Sequence, residues 1–448
     1  MRSSLVERSG RKAASVLLAA FLLIAAAASA ARHTELIASD PPAEAHVAAG
    51  VERVRLLFSE PIEAGLAHVT LRSSDGTVQV PTVEGDPRDV NAIVARVPPL
   101  ADAAFRLSWR VVSADGHPVA GSYVFWVGDD PSATPPAEGS SEQATAQTAT
   151  TAWATASLTA FLRGAALAAL LTIAGILFFL VRVEGDEAVA IPEAMRVARL
   201  AALGAPALLG AHVLLWSVAA SRDGALELPG IVTALRSGIG QLELWRLTAA
   251  LLTAWALCLA RRPGLALGFA TVAVVMSAAL GHAAAFTPLI SVPAKALHLL
   301  AAATWIGGLT WLLAHRRCDV VPLARVASGV SRTALGSVVL VAASGLAQSL
   351  ILLPTPISAI GTAYGNLLIA KVVGTLALVA FGAHHRFRAL PGLLAPGASG
   401  ASLASSLKKE LFVMAIVTLL GGALATAALP PAGHAHQADG STPVESDP

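Results

Sequence analysis

Eight apolar tracts, near 157–182, 197–220, 244–261, 264–285, 293–315, 333–354, 367–385 and 409–429, constrain the fold of this chain more than any other feature. Each is about long enough to cross a hydrocarbon core of roughly 30 Å as a helix, which satisfies its own backbone hydrogen bonds in lipid. The expectation for residues 152–430 is therefore an all-α polytopic membrane bundle of about eight helices. Composition agrees: 55% of the chain is hydrophobic and only 13% charged, too apolar for an ordinary soluble protein.

Charge in the connecting loops orients the bundle. Arg182/Arg196/Arg199, Arg261/Arg262, Arg316/Arg317/Arg325/Arg332 and Arg386/Arg388/Lys408/Lys409 fall in alternate loops, whereas the others carry Arg222, Arg236 and Lys295. Lys and Arg concentrate on the cytoplasmic side, so everything before the first tract and the tail 431–448 are expected outside. The N-terminus agrees, with Arg2, Arg8, Arg11 and Lys12, the apolar run Val16–Ala27 and the small residues Ala28-Ser29-Ala30. Residues 1–30 read as a secretory signal peptide, with retention as an uncleaved first helix the alternative.

Between residues 31 and 128 the hydrophobic period changes to two. Val54/Leu56/Phe58, Ala67/Val69/Leu71 and Phe105/Leu107/Trp109/Val111 alternate with polar residues, and Ser73-Ser74-Asp75-Gly76, Glu84-Gly85-Asp86-Pro87 and Asp115-Gly116-His117-Pro118 supply turn chemistry. About seven short strands in under a hundred residues suggest an all-β antiparallel sandwich or barrel. Residues 129–151, rich in Pro, Ser, Thr and Ala, read as a flexible tether.

Several function classes are excluded. A net charge of +2 without a basic run interleaved with aromatics excludes nucleic acid, and two cysteines provide neither a disulfide framework nor a CxxC motif. No phosphate-binding loop, aspartyl-phosphate motif or Ser/His/Asp constellation is evident, so the expectation is not an enzyme.

In the β-domain, His33 with Asp115 and His117 offers two imidazoles and a carboxylate, a donor set that suits tetragonal Cu(II). In an extended segment positions 115 and 117 point the same way; the plain alternative is that Asp-Gly-His-Pro is only a turn. His46 and His68 read as surface histidines, although His46 follows Pro41-Pro42 in a loop that could approach the site. In the bundle, polar residues are costly unless they face its interior, which singles out His282 and His298 on adjacent antiparallel tracts. A shared copper ion and interhelical hydrogen bonding are both open readings, and His212 could join them. Tyr364 and Lys371 share a helical face, and Lys371 needs a partner. Glu410 reads as an interfacial charge, His315, His384 and His385 accompany basic loops, and Gly307-Gly308 and Gly421-Gly422 suggest close helix contact. His434 and His436 form a pair in the tail.

The strings H33-T-E-L-I-A-S-D-P-P, V54-R-L-L-F-S-E-P-I and W109-R-V-V-S-A-D-G-H-P-V-A-G-S-Y-V-F resemble the periplasmic copper-binding CopC family over residues 33–128. The resemblance implies a cupredoxin-like, Ig-like sandwich binding Cu(II) through a histidine at the mature N-terminus and through the Asp and His of the DGH segment, here His33, Asp115 and His117. Cleavage after Ala30 would leave His33 third, where terminal amine, backbone amides and imidazole can enclose Cu(II). The methionines Met1, Met195, Met276 and Met414 all lie outside the mature β-domain, which disfavours a soft Cu(I) site there.

Residues 157–430 resemble the CopD family of copper-resistance membrane proteins through G281-H, H298 with W305-I-G-G, S344-G-L-A, T362-A-Y-G-N-L-L-I-A-K371 and K409-E-L. Together the resemblances imply a fusion in a bacterial cytoplasmic membrane that captures Cu(II) outside and mediates copper transport, in the import direction, with His282 and His298 on a membrane pathway carrying Cu(I). An extracytoplasmic copper chaperone or reductase is an implied partner. Competing readings are a membrane-anchored copper buffer or sensor, an oxidative copper enzyme, and a heme-binding bundle.

Overall fold

The computed structural model describes residues 34–114, 116–128, 142–182, 191–221, 226–281, 287–317, 320–353, 356–389, 391, 400–425 and 427. His33, Asp115, His282, His434 and His436, the signal segment 1–30, residues 129–141 of the tether and the tail 431–448 lie outside the described residues.

Residues 36–127 form two facing sheets. One has the order β1 (Leu36–Asp40), β3 (Arg53–Phe58), β7 (Asp89–Arg96) and β6 (Thr82–Asp86); the other runs β2 (His46–Val47), β9 (Pro118–Val127), β8 (Ala103–Val112), β4 (His68–Ser73) and β5 (Val78–Gln79). Pairing is antiparallel except for β2 on β9. Seven of these strands have five or more residues, as the alternation predicts. The period-two positions face one another as the core: Val54, Leu56 and Phe58 meet Leu107, Val111 and Phe125, all fully buried.

One cross-strand pair in the β8–β9 hairpin is unusually tight. Trp109 lies opposite Gly121, and a Cβ on Gly121 would sit 2.5 Å from the indole. The indole is itself held edge-on against Phe58, centroids 5.1 Å apart. Gly121→Ala is therefore expected to destabilise the β-domain by about 1–3 kcal/mol through overpacking. Thermal unfolding of the full chain should show an earlier transition for this domain.

Among the described residues, each of the eight apolar tracts contains a helix. The helices are α1 (Glu142–Arg182), α2 (Ile191–Ala220), α3 (Leu228–Arg236), α4 (Gly238–Ala254, extended by a π-helical turn Trp255–Leu259), α5 (Pro263–Ala278), α6 (Pro288–Ala314), α7 (Val320–Leu352), α8 (Ala363–His384, with a second π-helical turn His385–Ala389) and α9 (Gly400–Leu424). Among the described residues six are long and apolar enough to cross a membrane. The other two tracts lie in α5, which is shorter, and in α9, which carries Lys408, Lys409 and Glu410. Exposed Val339, Leu346, Leu350, Val373 and Leu376 on α7 and α8 supply an apolar outer surface suited to lipid.

The central helix is α1, which packs on α2, α5, α6 and α9. It also begins earlier than expected: Glu142–Thr151, read from sequence as tether, is already helical. That stretch contains no Pro or Gly, and Ala, Gln and Glu, favourable helix formers, make up six of its ten residues beside four Thr, so the spanning helix propagates back through it.

Candidate functional site

The Asp115-Gly116-His117 string is the turn of the β8–β9 hairpin. Val112 pairs with Pro118, leaving residues 113–117 to reverse the chain. The Ser113 amide donates to the His117 carbonyl (2.9 Å) and the Gly116 amide to the Ser113 carbonyl (2.8 Å). Gly116 has φ +97°, a conformation open to glycine and rare for other residues. Asp115 lies outside the described residues; around it, Ser113, Gly116 and His117 are joined by backbone hydrogen bonds of a turn.

Hydrogen bonds bring the chain beside His33 to this turn. Thr34 Oγ1 donates to buried Glu60 Oε2 (3.1 Å), and the Ser59 amide donates to the Glu35 carbonyl (2.9 Å). Just beyond, the Ala114 amide donates to the Pro61 carbonyl and the Glu63 amide to the Val112 carbonyl, each 2.8 Å. Thr34, Ala114 and Gly116, which border His33 and Asp115, are therefore joined through the 59–63 segment. Sequence reasoning missed Glu60 and Glu63 in this segment; its only trace was the S59-E-P-I string. His46, by contrast, stacks on Trp126 (centroids 4.9 Å). Eight residues of β9 separate Trp126 from Pro118, roughly 26 Å of strand, so His46 is remote from the turn. Nearby, burial pushes the Tyr123 hydroxyl up to about 12, and this group donates to the Pro41 carbonyl (3.1 Å).

The hairpin turn also docks on the bundle. Trp216 Nε1, near the end of α2, donates to the Gly116 carbonyl (2.8 Å), and Arg110 on β8 donates to the Ala219 carbonyl (3.1 Å). Leu66 and Val112 of the sandwich share an apolar cluster with Trp216, Ala220 and Ala234. The sandwich therefore contacts the helix ends through this turn.

One layer deeper, buried charges form a network. His212 on α2 places Nδ1 3.2 Å from the Thr159 carbonyl and Nε2 3.3 Å from Glu243 Oε1, while Arg246 approaches Glu243 Oε2 to 2.6 Å. That last contact is a buried ion pair, and Arg246 Nε has no hydrogen-bond partner beside it.

Arg246 also lines a cavity of about 110 Å³, together with Arg163 of α1, Lys295 and His298 of α6, and Lys371 of α8. His298 Nδ1 lies 3.1 Å from both the Val341 carbonyl and Ser344 Oγ, and the Lys295 ammonium donates to the Leu280 carbonyl, two residues before His282. His298 and Lys371 thus meet at one chamber, and Lys295 ties its lining to the Leu280 carbonyl. Arg163, Arg246 and Glu243 were missed in the sequence, although charges inside apolar tracts are the signal that finds such residues.

Trp305 lines this chamber and also a second cavity of about 240 Å³ toward the opposite end of the bundle, bordered by His385, Arg386 and Glu410. Glu410 is fully buried, and His385 Nδ1 lies 3.0 Å from its Oε2 while His385 Nε2 bonds Ser406 Oγ (2.7 Å). The expectation that Glu410 is an interfacial charge is corrected: α8 and α9 bury it against an imidazole. His315 Nδ1 donates to the Trp311 carbonyl (2.8 Å), four residues back.

Among the described residues no three His, Cys, Asp or Glu side chains converge as a ready metal cage. Electrostatics also bear on cargo. A monovalent cation about 7 Å from a fixed positive charge is opposed by about 2 kcal/mol at an effective dielectric constant of about 20. Several such groups together disfavour a bare copper ion resting beside His298.

Comparison with known proteins places these features in context. Residues 36–128 match the family described as CopC domain, and residues 324–424 match that described as Copper resistance protein D. The chain is 25% identical over 376 residues to the Copper transport protein CutJ of Bacillus subtilis (strain 168), covering 79% of this chain and 67% of that protein. It is 35% identical over 105 residues to Copper resistance protein C of Escherichia coli, covering 21% of this chain and 81% of that one. The solved structure of CopC from Methylosinus trichosporium OB3b shares 29% identity, covers 23% of this chain and 100% of that chain, and superposes with a TM-score of 0.21.

Proposed function

Because the chain belongs to the CopC/CopD copper resistance and transport family, with both domains in one polypeptide, we propose that its sandwich captures Cu(II) outside the cytoplasmic membrane and delivers copper to its own helical bundle for import. The observation that carries this reading is the 2.8 Å hydrogen bond from Trp216 Nε1 to the Gly116 carbonyl, which seats the proposed metal turn on the bundle. His33, Asp115 and His117 are the proposed Cu(II) ligands: imidazole and carboxylate donors favour Cu(II), and Thr34 and Ala114 are already drawn together beside them. Below the seat, His298 borders the first chamber, Trp305 lines both it and the second, and His385 with Glu410 borders the second. This sequence supports a route through the bundle, with copper entering the membrane as Cu(I) after reduction by an external partner.

The positive lining of the first chamber favours a second reading, a copper buffer or sensor whose bundle does not conduct. Copper accumulation in cells separates the two. His298→Ala is expected to lower accumulation to the level of cells lacking the protein, while Cu(II) binding by the sandwich, read by EPR, stays intact. Unchanged accumulation would favour the buffer, and increased accumulation would reverse the direction.

A further inference from the structure

We propose that the chamber beside His298 is a binding site for a compact oxyanion of the phosphate class. Four basic side chains from four different helices, Arg163, Arg246, Lys295 and Lys371, line one cavity of about 110 Å³. That is well above the roughly 10–15 Å³ a single water needs on the same measure. Among the described residues Glu243 is the one carboxylate within ion-pair distance of any of them, and it is shared between Arg246 and His212. The lining therefore carries more positive than negative groups inside an apolar bundle, where an uncompensated charge is expensive and marks a site.

A second observation points to a ligand and not only to charge. The Arg246 side chain is 3% exposed; one terminal nitrogen is ion-paired to Glu243 Oε2 at 2.6 Å, which leaves Nε as a buried donor without an acceptor. Guanidinium groups remain protonated and present a planar fork suited to phosphate oxygens. Buried donors without acceptors are destabilising unless something fills the site. The Lys371 ammonium reaches across the chamber to α9, 3.6 Å from a Cβ built on Gly421. An oxyanion with several oxygens would accept from Arg246, Lys371 and Arg163 together and balance the chamber. Free phosphate and the headgroup of an anionic lipid share this chemistry.

The test uses the purified full chain, delipidated in neutral detergent and then placed in nanodiscs of phosphatidylcholine alone or with phosphatidylglycerol. Inorganic phosphate is titrated into the first preparation by calorimetry, and lipid retained by the protein after transfer from the second into detergent is read by native mass spectrometry. Saturable phosphate binding supports a free anion; selective retention of phosphatidylglycerol supports the lipid headgroup. In either case Lys371→Gln is expected to weaken binding at least 10-fold and Lys371→Arg to preserve most of it. Preserved Cu(II) EPR and a single gel-filtration peak check that each variant is folded. Absence of both phosphate binding and selective lipid retention in the wild-type chain overturns the proposal without any variant, as does equal binding by wild type and a folded Arg163→Gln/Lys371→Gln chain.

Discussion

His117→Ala is expected to weaken Cu(II) binding by the full chain by about 100-fold or more, the largest loss any single substitution in the sandwich should cause. Even groups that only orient a ligand cost 10–100-fold when removed, so loss of a ligand itself should meet or exceed that range. The turn explains why the effect should be specific. Its shape is set by backbone hydrogen bonds between residues 113, 116 and 117 and by the φ of +97° at Gly116, none of which uses the imidazole. Removing the ring therefore leaves the hairpin and its Trp216 contact in place. Competition titration against a chelator of known affinity gives the loss, and EPR should show one fewer nitrogen donor. His46→Ala, at the far end of β9, is the matched control and should leave affinity unchanged. Equal affinities for wild type and His117→Ala would reduce the turn to plain hairpin chemistry.

The parts of this molecule that repeat along the chain were legible in sequence. Val54, Leu56 and Phe58 alternate with Arg53, Arg55 and Leu57, and the first set is fully buried, because side chains on a strand point to opposite faces every second residue. The apolar tracts were equally plain, since each helix must meet lipid and satisfy its backbone within itself. What escaped notice depends on convergence between distant residues. Trp216 and Gly116 are 100 positions apart, and nothing local marks either as a docking contact. Arg163 and Arg246 stand on helices far apart in the chain, and only helix packing brings them to one cavity. Glu410 follows Lys408 and Lys409 and so looked interfacial, yet those lysines are exposed while Glu410 turns inward to His385. A helix rotates by about 100° per residue, so adjacent charges need not share a solvent.

The bundle should be most sensitive where α1 crosses α6. A Cβ on Gly175 would lie 1.9 Å from the Ala303 carbonyl oxygen, and one on Gly307 would lie 2.1 Å from the Gly175 carbonyl carbon. Both obstacles are backbone, so no rotamer change relieves them and the helices must separate. Gly307→Ala is accordingly expected to cost about 3 kcal/mol, the upper end of ordinary overpacking, and to lower the unfolding temperature by roughly 6–12 °C for a domain of this size. The same substitution at Gly204 on α2, where nothing lies within 4 Å, isolates the cause. There alanine only improves helix propensity, so Gly204→Ala should be neutral or stabilising by about 0.5–1 kcal/mol. Thermal unfolding in detergent distinguishes the two, and equal melting temperatures would show that α1 and α6 tolerate a wider crossing. The consequence reaches the chamber, because α1 carries Arg163 and α6 carries Lys295, His298 and Trp305. Forcing these two helices apart should therefore loosen the cationic lining and the tryptophan shared by both cavities together, and copper accumulation should fall in Gly307→Ala cells beyond what the loss of folded protein accounts for.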